Sequence, residues 1–463
     1  MHNHFQTVSP VDGRVYVERA YSSANDIETA LAQAVSVQQE WQRLDIEQRA
    51  NICRHAVDSL LANQDKIREE ISWQMGRPLQ FTAGELQGFA QRAHYMIDIA
   101  QRKLEDIRFN DQPGFTRFIK REPVGVVFSI VPWNYPYLTA VNAIIPALMA
   151  GNAVVMKPST QTPLCAERLY AAFEKAGLPK GVFQYLYLDH KATTALIKKP
   201  AIQFVAFTGS VKGGATVQKA VQGCFLGMGL ELGGKDPAYV RADADLSFTV
   251  PNLVDGVYFN SGQSCCAVER IYVHESVHDD FIEKFIELVN QYQLGDPLDL
   301  KTTLGPMAKI HGANLVRQQI QEAVRAGATP CIESVKFRKS QMSNNYLEPQ
   351  VLLNVDHSMS VMQDESFGPV VGIMKVNSDT DAVALMNDSK FGLTASVWTE
   401  DQQAALEIGS QVQTGTWFMN RCDYLDPALA WTGLKNSGHG CTLSEIGYEQ
   451  LTQPKSFHLR SSK

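Results

Sequence analysis

The sequence predicts an α/β protein with two lobes, each built around a largely parallel β-sheet. From residue 124 onward, short runs rich in β-forming residues alternate with runs of helical periodicity, and a second such alternation begins after residue 234. From residue 26 to about residue 100 the apolar residues recur at helical spacing. Strands that alternate with helices form parallel sheets covered on both faces, so two α/β lobes after a helical segment are the simplest interpretation.

The elements follow in chain order. Ser23 and Asp26 form a capping pair for the first helix. In the first lobe we expect strands at 124–131, 152–157, 182–188 and 202–208, with helices at 137–150, 164–177 and before the last strand. In the second lobe we expect strands at 270–275, 370–376 and 395–399, with helices at 277–293 and from residue 379. The segments 116–123 and 456–460 are typical of exposed strands that pair with each other or with another subunit.

Composition excludes several classes of function. The chain has 463 residues, enough for about three domains or subdomains at roughly 150 residues each. Its net charge is −7 and no basic cluster occurs, so we expect no nucleic-acid partner. The uncharged stretch 124–156 is interrupted by Pro132, Pro136 and Pro146, among others, so we expect no membrane span.

The cysteines and the N-terminus predict a cytoplasmic protein. Eight cysteines are irregularly placed and include the adjacent pair Cys265 and Cys266, which is unlike a disulfide framework and indicates thiols in a reducing compartment. Residues 1–14 lack the apolar region of a secretion signal. No paired Cys/His spacing of the metal-ligand type occurs, so we expect no metal site.

Polar or glycine-rich turns follow several predicted strands, at the sheet edge where α/β proteins bind ligands. PWNYP at 132–136 presents the amide of Asn134, which either stabilises an oxyanion or bonds its own turn. KPS at 157–159 places a lysine at a strand end, as a ligand-binding or a solvated cation. FTGS and the glycines after it, at 207–214, form either a phosphate-binding helix start or an ordinary loop, and no GxGxxG occurs there.

Two further turns carry reactive groups. Glu231 ends an apolar run before two glycines, where a carboxylate acts as a general base or pairs with Lys235. Residues 260–266 form a polar turn that contains Cys265 and Cys266. A thiol in such a turn is either an activated nucleophile or a buried cysteine.

Taken together and in order, these turns resemble the aldehyde dehydrogenase superfamily, enzymes that oxidise aldehydes to carboxylic acids with NAD or NADP. The resemblance covers essentially the whole chain from Pro10. The motifs are PWNYP at 132–136, KPS at 157–159, FTGS at 207–210, ELGGK at 231–235, GQSC at 262–265, ESFGPV at 365–370 and GLTASVWT at 392–399. The family implies two Rossmann-like lobes, one cofactor-binding and one catalytic, with a small β bridge for oligomerisation.

The resemblance implies a role for each catalytic residue. Cys265 is the expected nucleophile, and its backbone N–H and the Asn134 amide would stabilise the oxyanion of the thiohemiacetal. Glu231 is the expected base that activates water to hydrolyse the thioester. Three alternatives stay open. One is a CoA-acylating aldehyde dehydrogenase, in which coenzyme A instead of water resolves the thioester. The others are a cysteine thiol hydrolase or esterase and a catalytically silent binding protein on the same fold.

The cofactor is expected to be NADP or NAD, with dual use. By resemblance, Lys157 and Glu365 contact ribose, Ser210 contacts the pyrophosphate, and Trp133 and Phe367 form apolar walls. The full expected set is Trp133, Lys157, Ser159, Thr160, Gly209, Ser210, Gly214, Glu365 and Phe367. Members that prefer NAD often carry glutamate where this chain has Thr160. Since a glutamate would repel a 2′-phosphate and threonine does not, we expect NADP to be accepted.

The substrate is expected to be a small aldehyde in a tunnel of mixed aromatic and polar character. The expected lining is Tyr137, Leu138, Thr139, Asn142, Phe259, Tyr424, Leu425 and Trp431. Succinate-semialdehyde members bind the distal carboxylate with arginines at the places of Asn142 and Phe259, although Arg421 offers a substitute. We therefore expect a neutral aromatic or medium aliphatic aldehyde.

The resemblance also implies domain boundaries. Residues 1–104 and 124–233 would form the cofactor-binding domain, 234–449 the catalytic domain, and 105–123 with 450–463 the bridge of a homodimer or homotetramer. One segment departs from the family pattern: Thr432 replaces a glycine, and Cys441 and Thr442 replace an Arg-Glu pair.

Overall fold

The predicted α/β class is confirmed in the computed structural model, which describes residues 4–110, 112–341 and 344–461. The helices are α1 Ala24–Trp41, α2 Ile46–Leu61, α3 Gln64–Met75, α4 Ala83–Leu104, α5 Pro136–Met149, α6 Leu164–Lys175, α7 His190–Ile197, α8 Val211–Val221, α9 Leu246–Tyr258, α10 His278–Val289, α11 Ile310–Arg325, α12 Ser360–Gln363, α13 Asp379–Asn387 and α14 Gln402–Gly409.

The strands that the structure describes form two large sheets and three small ones. They are β1 His4–Val8, β2 Val15–Ala20, β3 Ile107–Arg108, β4 Phe115–Pro123, β5 Val126–Ile130, β6 Ala153–Lys157, β7 Phe183–Tyr185, β8 Ile202–Thr208, β9 Gly227–Glu231, β10 Asp236–Val240, β11 Val268–His274, β12 Thr329–Pro330, β13 Gln350–Leu353, β14 Val370–Val376, β15 Phe391–Gly392, β16 Thr394–Trp398, β17 Thr416–Met419, β18 Leu434–Lys435, β19 Gly438–His439 and β20 Thr452–Arg460.

The first lobe surrounds a six-stranded sheet of order β19-β9-β8-β5-β6-β7, parallel except for β19. Alternate residues of β5 face opposite ways: Val127 packs with α2, α4, α5 and α6, whereas Phe128 packs with α1, α7 and α8. Both faces are therefore buried, as the continuous apolar strands predict. β19 lies within the range predicted for the catalytic domain, yet it pairs with β9 of this sheet.

The second lobe surrounds a seven-stranded sheet of order β12-β13-β14-β11-β10-β16-β17, parallel except for β12. Helices α9 and α10 cover one face, and α11, α13 and α14 cover the other. The alternation of strands and helices after residue 234 thus produces a second doubly covered parallel sheet.

A separate sheet joins segments far apart in sequence. β20 pairs with β4 along its whole length, with Thr452 opposite Pro123 and Arg460 opposite Phe115, and β3 pairs with the other side of β4. Phe118 and Phe457 stack in this sheet with ring centroids 4.5 Å apart. Of the two pairings considered for segments 116–123 and 456–460, the pairing with each other is therefore present.

Local signals account for the first helix and for the uncharged stretch. Ser23 and Asp26 form the expected capping box at the start of α1. The stretch 124–156 folds as β5, a turn, the 14-residue helix α5 and most of β6. Within the described ranges, every helix is too short or too polar to cross a bilayer.

Candidate active site

Two cavities meet between the lobes, beyond the carboxyl ends of the first sheet. The Trp133 cavity, of about 390 Å³, lies between the β5–α5 turn and the Phe367 loop. The Phe259 cavity, of about 620 Å³, lies between α4, α5 and the 423–431 segment. Both walls include Thr139, Thr208, Glu231 and Cys265. The proposed nucleophile and base therefore lie where the two cavities meet.

The loop before Cys265 has a constrained backbone. Asn260 and Ser261 adopt φ values of +52° and +57°, a region that residues with a side chain seldom occupy. The side-chain amide of Gln263 donates to the Asn260 carbonyl at 3.0 Å and accepts from the Ala308 N–H at 2.8 Å. These bonds fix the loop before ligand arrives, so the Cys265 thiol is presented on a rigid support.

The amide of Asn134 is directed at this loop rather than at its own turn. Its Nδ2 donates to the Gln263 carbonyl at 3.1 Å. The guanidinium of Arg77 contacts the Asn134 carbonyl and donates from Nε to Asn260 Oδ1 at 3.1 Å. Asn134 also lines the Trp133 cavity. The turn and the cysteine loop are thus joined, which places an amide donor beside Cys265.

Glu231, the last residue of β9, is held by two threonine hydroxyls. Thr208 donates to Oε2 at 3.0 Å and Thr442 donates to Oε1 at 2.5 Å. Burial raises the pKa of Glu231 above its ordinary value, and these two hydrogen bonds oppose that rise. Thr442, which departs from the family pattern, thus contacts the proposed base.

An ion pair between Glu231 and Lys235, the alternative left open by the sequence, does not form. The Lys235 ammonium instead contacts Glu269 at 2.5 Å and donates to the Ser366 hydroxyl at 3.0 Å. Glu231 therefore has no lysine partner among the residues that the structure describes, and it faces both cavities.

The two adjacent cysteines have different surroundings. Cys266 is buried and its thiol lies 3.0 Å from Asp423 Oδ1, an oxygen that also accepts from Ser264 at 2.8 Å. Contact with the Cys265 thiol and burial raise the pKa of Cys266 well above its ordinary value. Cys265 is only partly buried and lines both cavities. Of the two thiols, that of Cys265 is therefore the more accessible from the cavities.

The wall of the Trp133 cavity combines apolar rings with a helix start. Trp133 and Phe367 pack edge to face with centroids 5.6 Å apart. Ser210 caps α8 by accepting from the Gly213 N–H at 3.2 Å. Glu365 accepts from the Gly234 N–H at 3.3 Å, and burial together with Glu269 raises its pKa to about 8.

The structure brings some, but not all, of the expected cofactor residues to this wall. Those present are Trp133, Gly209, Ser210, Glu365 and Phe367. Lys157, Ser159, Thr160 and Gly214 lie outside it. Lys157 donates to the Pro158 carbonyl at 3.2 Å, and burial and Lys309 lower its pKa to about 8. The structure adds Met307, Lys309, His311 and Leu315, for which the sequence carried no motif.

Most of the expected tunnel residues line the Phe259 cavity. They are Leu138, Thr139, Asn142, Phe259, Tyr424, Leu425 and Trp431. Tyr137 does not: it is 2% exposed and packs in the core, while Tyr135 lines the cavity. The reason is helical geometry, because Leu138 and Asn142 share one face of α5 and Tyr137 projects from another. Arg421 stacks on Tyr424 at 3.4 Å and lies outside the cavity wall.

Sequence reasoning missed a buried ion pair that organises this wall. Arg77 and Glu85 are 2.6 Å apart and almost fully buried. Glu85 also accepts from the backbone N–H groups of Tyr137 and Leu138, at 2.8 and 3.1 Å, and so caps the start of α5. The only sequence signal was a pair of charges flanking a helix start, which is usual on protein surfaces.

Comparisons with known proteins identify the family of this chain. A model of the aldehyde dehydrogenase family matches residues 1–457. The chain is 31% identical over 450 residues to a succinate semialdehyde dehydrogenase of Escherichia coli (strain K12), whose name specifies NAD(P)+ as its cofactor. The match covers 97% of this chain and 96% of the relative. It is 32% identical over 461 residues to the 3,6-anhydro-alpha-L-galactose dehydrogenase of Streptomyces coelicolor, covering 99% and 94%.

Solved structures show the same likeness. A succinic semialdehyde dehydrogenase from Streptococcus pyogenes in complex with NADP+ superposes with a TM-score of 0.94 at 25% identity, covering 99% of this chain and 100% of that one. PnpE in complex with nicotinamide adenine dinucleotide gives a TM-score of 0.94 at 28% identity, with 99% and 95% covered. The chain belongs to the aldehyde dehydrogenase family and is an oxidoreductase that converts an aldehyde to its carboxylic acid.

Proposed function

We propose that this enzyme oxidises a small aldehyde with NAD(P)+ through a thiohemiacetal and a thioester on Cys265, and that water then releases the acid. The observation that carries this proposal is the position of Cys265 and Glu231 in the shared wall of two cavities. The proposal is tested by supplying a panel of aldehydes and following NAD(P)H formation by absorbance. If no aldehyde yields NAD(P)H but the enzyme hydrolyses esters, a thiol hydrolase is favoured instead.

The Trp133 cavity fits the cofactor. Ser210 and Gly209 lie at the start of α8, where free backbone N–H groups suit a pyrophosphate. A Cβ on Gly233 would collide with the Glu365 carboxylate, so glycine is needed for that carboxylate to occupy the cavity wall. When bound, the cofactor supplies the hydride acceptor. Trp133 and Phe367 would hold its apolar surface and Glu365 a ribose hydroxyl.

The residues around Cys265 support nucleophilic attack on a carbonyl carbon. Attack by the thiolate forms a carbon–sulfur bond and moves the carbonyl electron pair onto oxygen. The Asn134 amide and the Cys265 backbone N–H are donors suited to that oxyanion, and the constrained loop holds the thiol in place. After loss of the hydride, the thioester carbon is open to attack by water that has lost a proton to Glu231.

Hydrolysis is favoured over transfer to coenzyme A. Glu231 faces both cavities, and among the described residues no cation forms an ion pair with it, so its carboxylate is available to take a proton from water. A thiol ionises much more readily than water, so acyl transfer to coenzyme A depends less on such a base. The rate of NADH or NADPH formation should therefore be independent of added coenzyme A, and a strict requirement for it would contradict the proposal.

By the family resemblance, cofactor preference depends on the residue three positions after Lys157, which lies outside the wall of the Trp133 cavity. Thr160 carries no charge, so we expect the wild-type enzyme to accept NADP as well as NAD. Replacing Thr160 with glutamate should lower the ratio of kcat/KM for NADP to that for NAD by about 10- to 100-fold, because like charges near 4 Å repel by about 1–4 kcal/mol. Initial rates with both cofactors measure this ratio, with Thr160→Gln as the uncharged control. A wild-type preference for NAD above about a hundredfold would contradict the expectation.

We also propose that the β20-β4-β3 sheet joins subunits in a homodimer or homotetramer. Most of the side chains along β20 are exposed, including Leu459, and the outer edge of β20 is paired with no other described strand. Such an edge pairs readily with another chain. Sedimentation equilibrium should show an oligomer that truncation after residue 451 dissociates, whereas a stable full-length monomer would rule the proposal out.

A cytoplasmic location is the remaining part of the proposal. All eight cysteines are within the described ranges and all are free thiols. Free thiols persist where the surroundings are reducing, and the proposed thiolate chemistry of Cys265 needs such surroundings.

A further inference from the structure

Arg92 presents an unpaired guanidinium to the Phe259 cavity. It lies on α4, is 8% exposed and forms part of the cavity wall. Its Nη1 donates to the Leu138 carbonyl at 2.7 Å and to Asn142 Oδ1 at 3.3 Å. Among the described residues, no carboxylate lies within 4 Å of this guanidinium, and Nε and Nη2 have no hydrogen-bond acceptor. A buried cation in this state is costly unless an anion reaches it.

The other charged groups that share the wall already have partners. Arg77 pairs with Glu85 at 2.6 Å, and Asp423 accepts from Ser264 and Cys266. Glu231 accepts from two threonines, and its charge opposes the burial that lowers the pKa of Arg92, but it forms no ion pair with that guanidinium. Asp255 lies at the rim of the cavity, where partial desolvation and the charge of Asp423 raise its pKa to about 6. Arg92 is thus the charged group of the inner wall that is left to meet a ligand.

We propose that Arg92 binds a carboxylate at the far end of the aldehyde, so that the substrate is a short aldehyde acid. This proposal rests on the proposed function and names its substrate class. The free Nε and Nη2 form one edge of a planar guanidinium, which matches the two oxygens of a carboxylate. A single guanidinium compensates one negative charge, which suits a carboxylate better than a phosphate dianion.

The sequence indicated a neutral aldehyde because it did not show that Arg92 lies next to Asn142. At position 142 the chain has asparagine where an arginine was expected of an acid-binding enzyme. The guanidinium of Arg92 reaches the same place from α4 and hydrogen-bonds to Asn142. Arg421, the substitute considered from the sequence, lies outside the wall. The proposal of an acidic substrate therefore departs from the neutral aldehyde expected from the sequence.

The test measures kcat/KM for two aldehydes of equal length, succinate semialdehyde and butanal, and for a phosphorylated aldehyde as a third substrate. We expect wild-type kcat/KM to be highest for the semialdehyde. The ratio of its kcat/KM to that of butanal should fall by about 10- to 100-fold in Arg92→Gln, the range for a charged hydrogen bond. Arg92→Lys should restore part of the ratio because it keeps the charge but not the planar edge. Arg54→Gln, at a surface arginine of α2, should keep the wild-type ratio.

A second measurement needs neither a variant nor turnover. Succinamate, which carries a carboxylate, should slow alkylation of wild-type Cys265 by iodoacetamide, whereas butyramide should not. Equal protection by both compounds would overturn the proposal, even if Arg92→Gln fails to fold.

The remaining outcomes are distinct. If Arg92→Gln lowers the rates with semialdehyde and butanal equally and shifts the pH profile, Arg92 acts on Glu231 and the proposal is wrong. A preference for the phosphorylated aldehyde would also overturn it. If the wild-type enzyme oxidises no aldehyde at all, the proposed function fails, whereas oxidation of butanal without preference for the acid overturns only the role of Arg92.

Discussion

Replacing Cys265 with alanine is expected to abolish aldehyde-dependent NAD(P)H formation, with a loss in kcat of at least about 10⁴-fold, as for removal of other covalent nucleophiles. Without the sulfur, no thiohemiacetal forms, and hydride would have to leave from a hydrated aldehyde that nothing holds in place. The measurement is steady-state absorbance with saturating aldehyde and cofactor. Cofactor binding, followed by quenching of tryptophan fluorescence, should survive, because Trp133 and Phe367 are untouched.

The neighbouring thiol supplies the control. Cys266→Ala removes a buried thiol that lies 3.0 Å from Asp423 and leaves Cys265 in place. We expect this variant to retain most of its kcat, with a modest loss of stability from the small cavity. Activity lost in Cys266→Ala and kept in Cys265→Ala would reverse the assignment of the nucleophile.

Much of the fold could be predicted from the sequence because its signals are local. Continuous apolar strands separated by helices require a parallel sheet covered on both faces, and both lobes show it. The return of β19 to the first sheet could not be predicted in the same way. It is two residues long, it follows a turn, and its partner β9 is about 200 residues earlier, so no periodicity marks it.

The same distinction holds for the site: residues with a local sequence signal could be predicted, and residues that depend on tertiary contacts could not. Cys265, Glu231 and Asn134 lie in turns whose glycines and prolines are visible in the sequence, and the structure brings all three to the Trp133 cavity. Tyr137 was misplaced because the expected lining took both Tyr137 and Leu138, and neighbouring residues of a helix project about 100° apart. Arg92 was missed because a charged residue on an amphipathic helix is normally a solvated one.

The sequence showed that Thr442 departs from the family pattern, but its effect on Glu231 depends on a tertiary contact. In sequence it is about 210 residues from Glu231, and only the folded chain shows its hydroxyl 2.5 Å from that carboxylate. The residue that departs from the family pattern thus donates a hydrogen bond to the proposed base.

Replacing Glu231 with glutamine is expected to separate the two halves of the reaction. One equivalent of NAD(P)H should form in a burst, since Cys265 and Asn134 are intact, while steady-state turnover should fall by about 10²- to 10⁴-fold, the usual contribution of a general base. The amide keeps the size of the side chain and can still accept from one threonine, but it cannot take a proton from water. Rapid-mixing absorbance measures both phases, and an unchanged steady-state rate would remove Glu231 from this role.

Thr442→Val should reproduce part of this effect and give it a pH signature. Glu231 acts as a base only when ionised, so the rate of thioester hydrolysis should fall as the pH drops through its pKa, which burial raises. Thr442 and Thr208 donate to the ionised form and oppose that rise. Removing the Thr442 hydroxyl should therefore move the acidic limb of the kcat profile to higher pH, and Thr442→Ser should return it. A profile that stays in place while kcat falls would mean that Thr442 only packs against the site, because a lost donor to a carboxylate must raise its pKa.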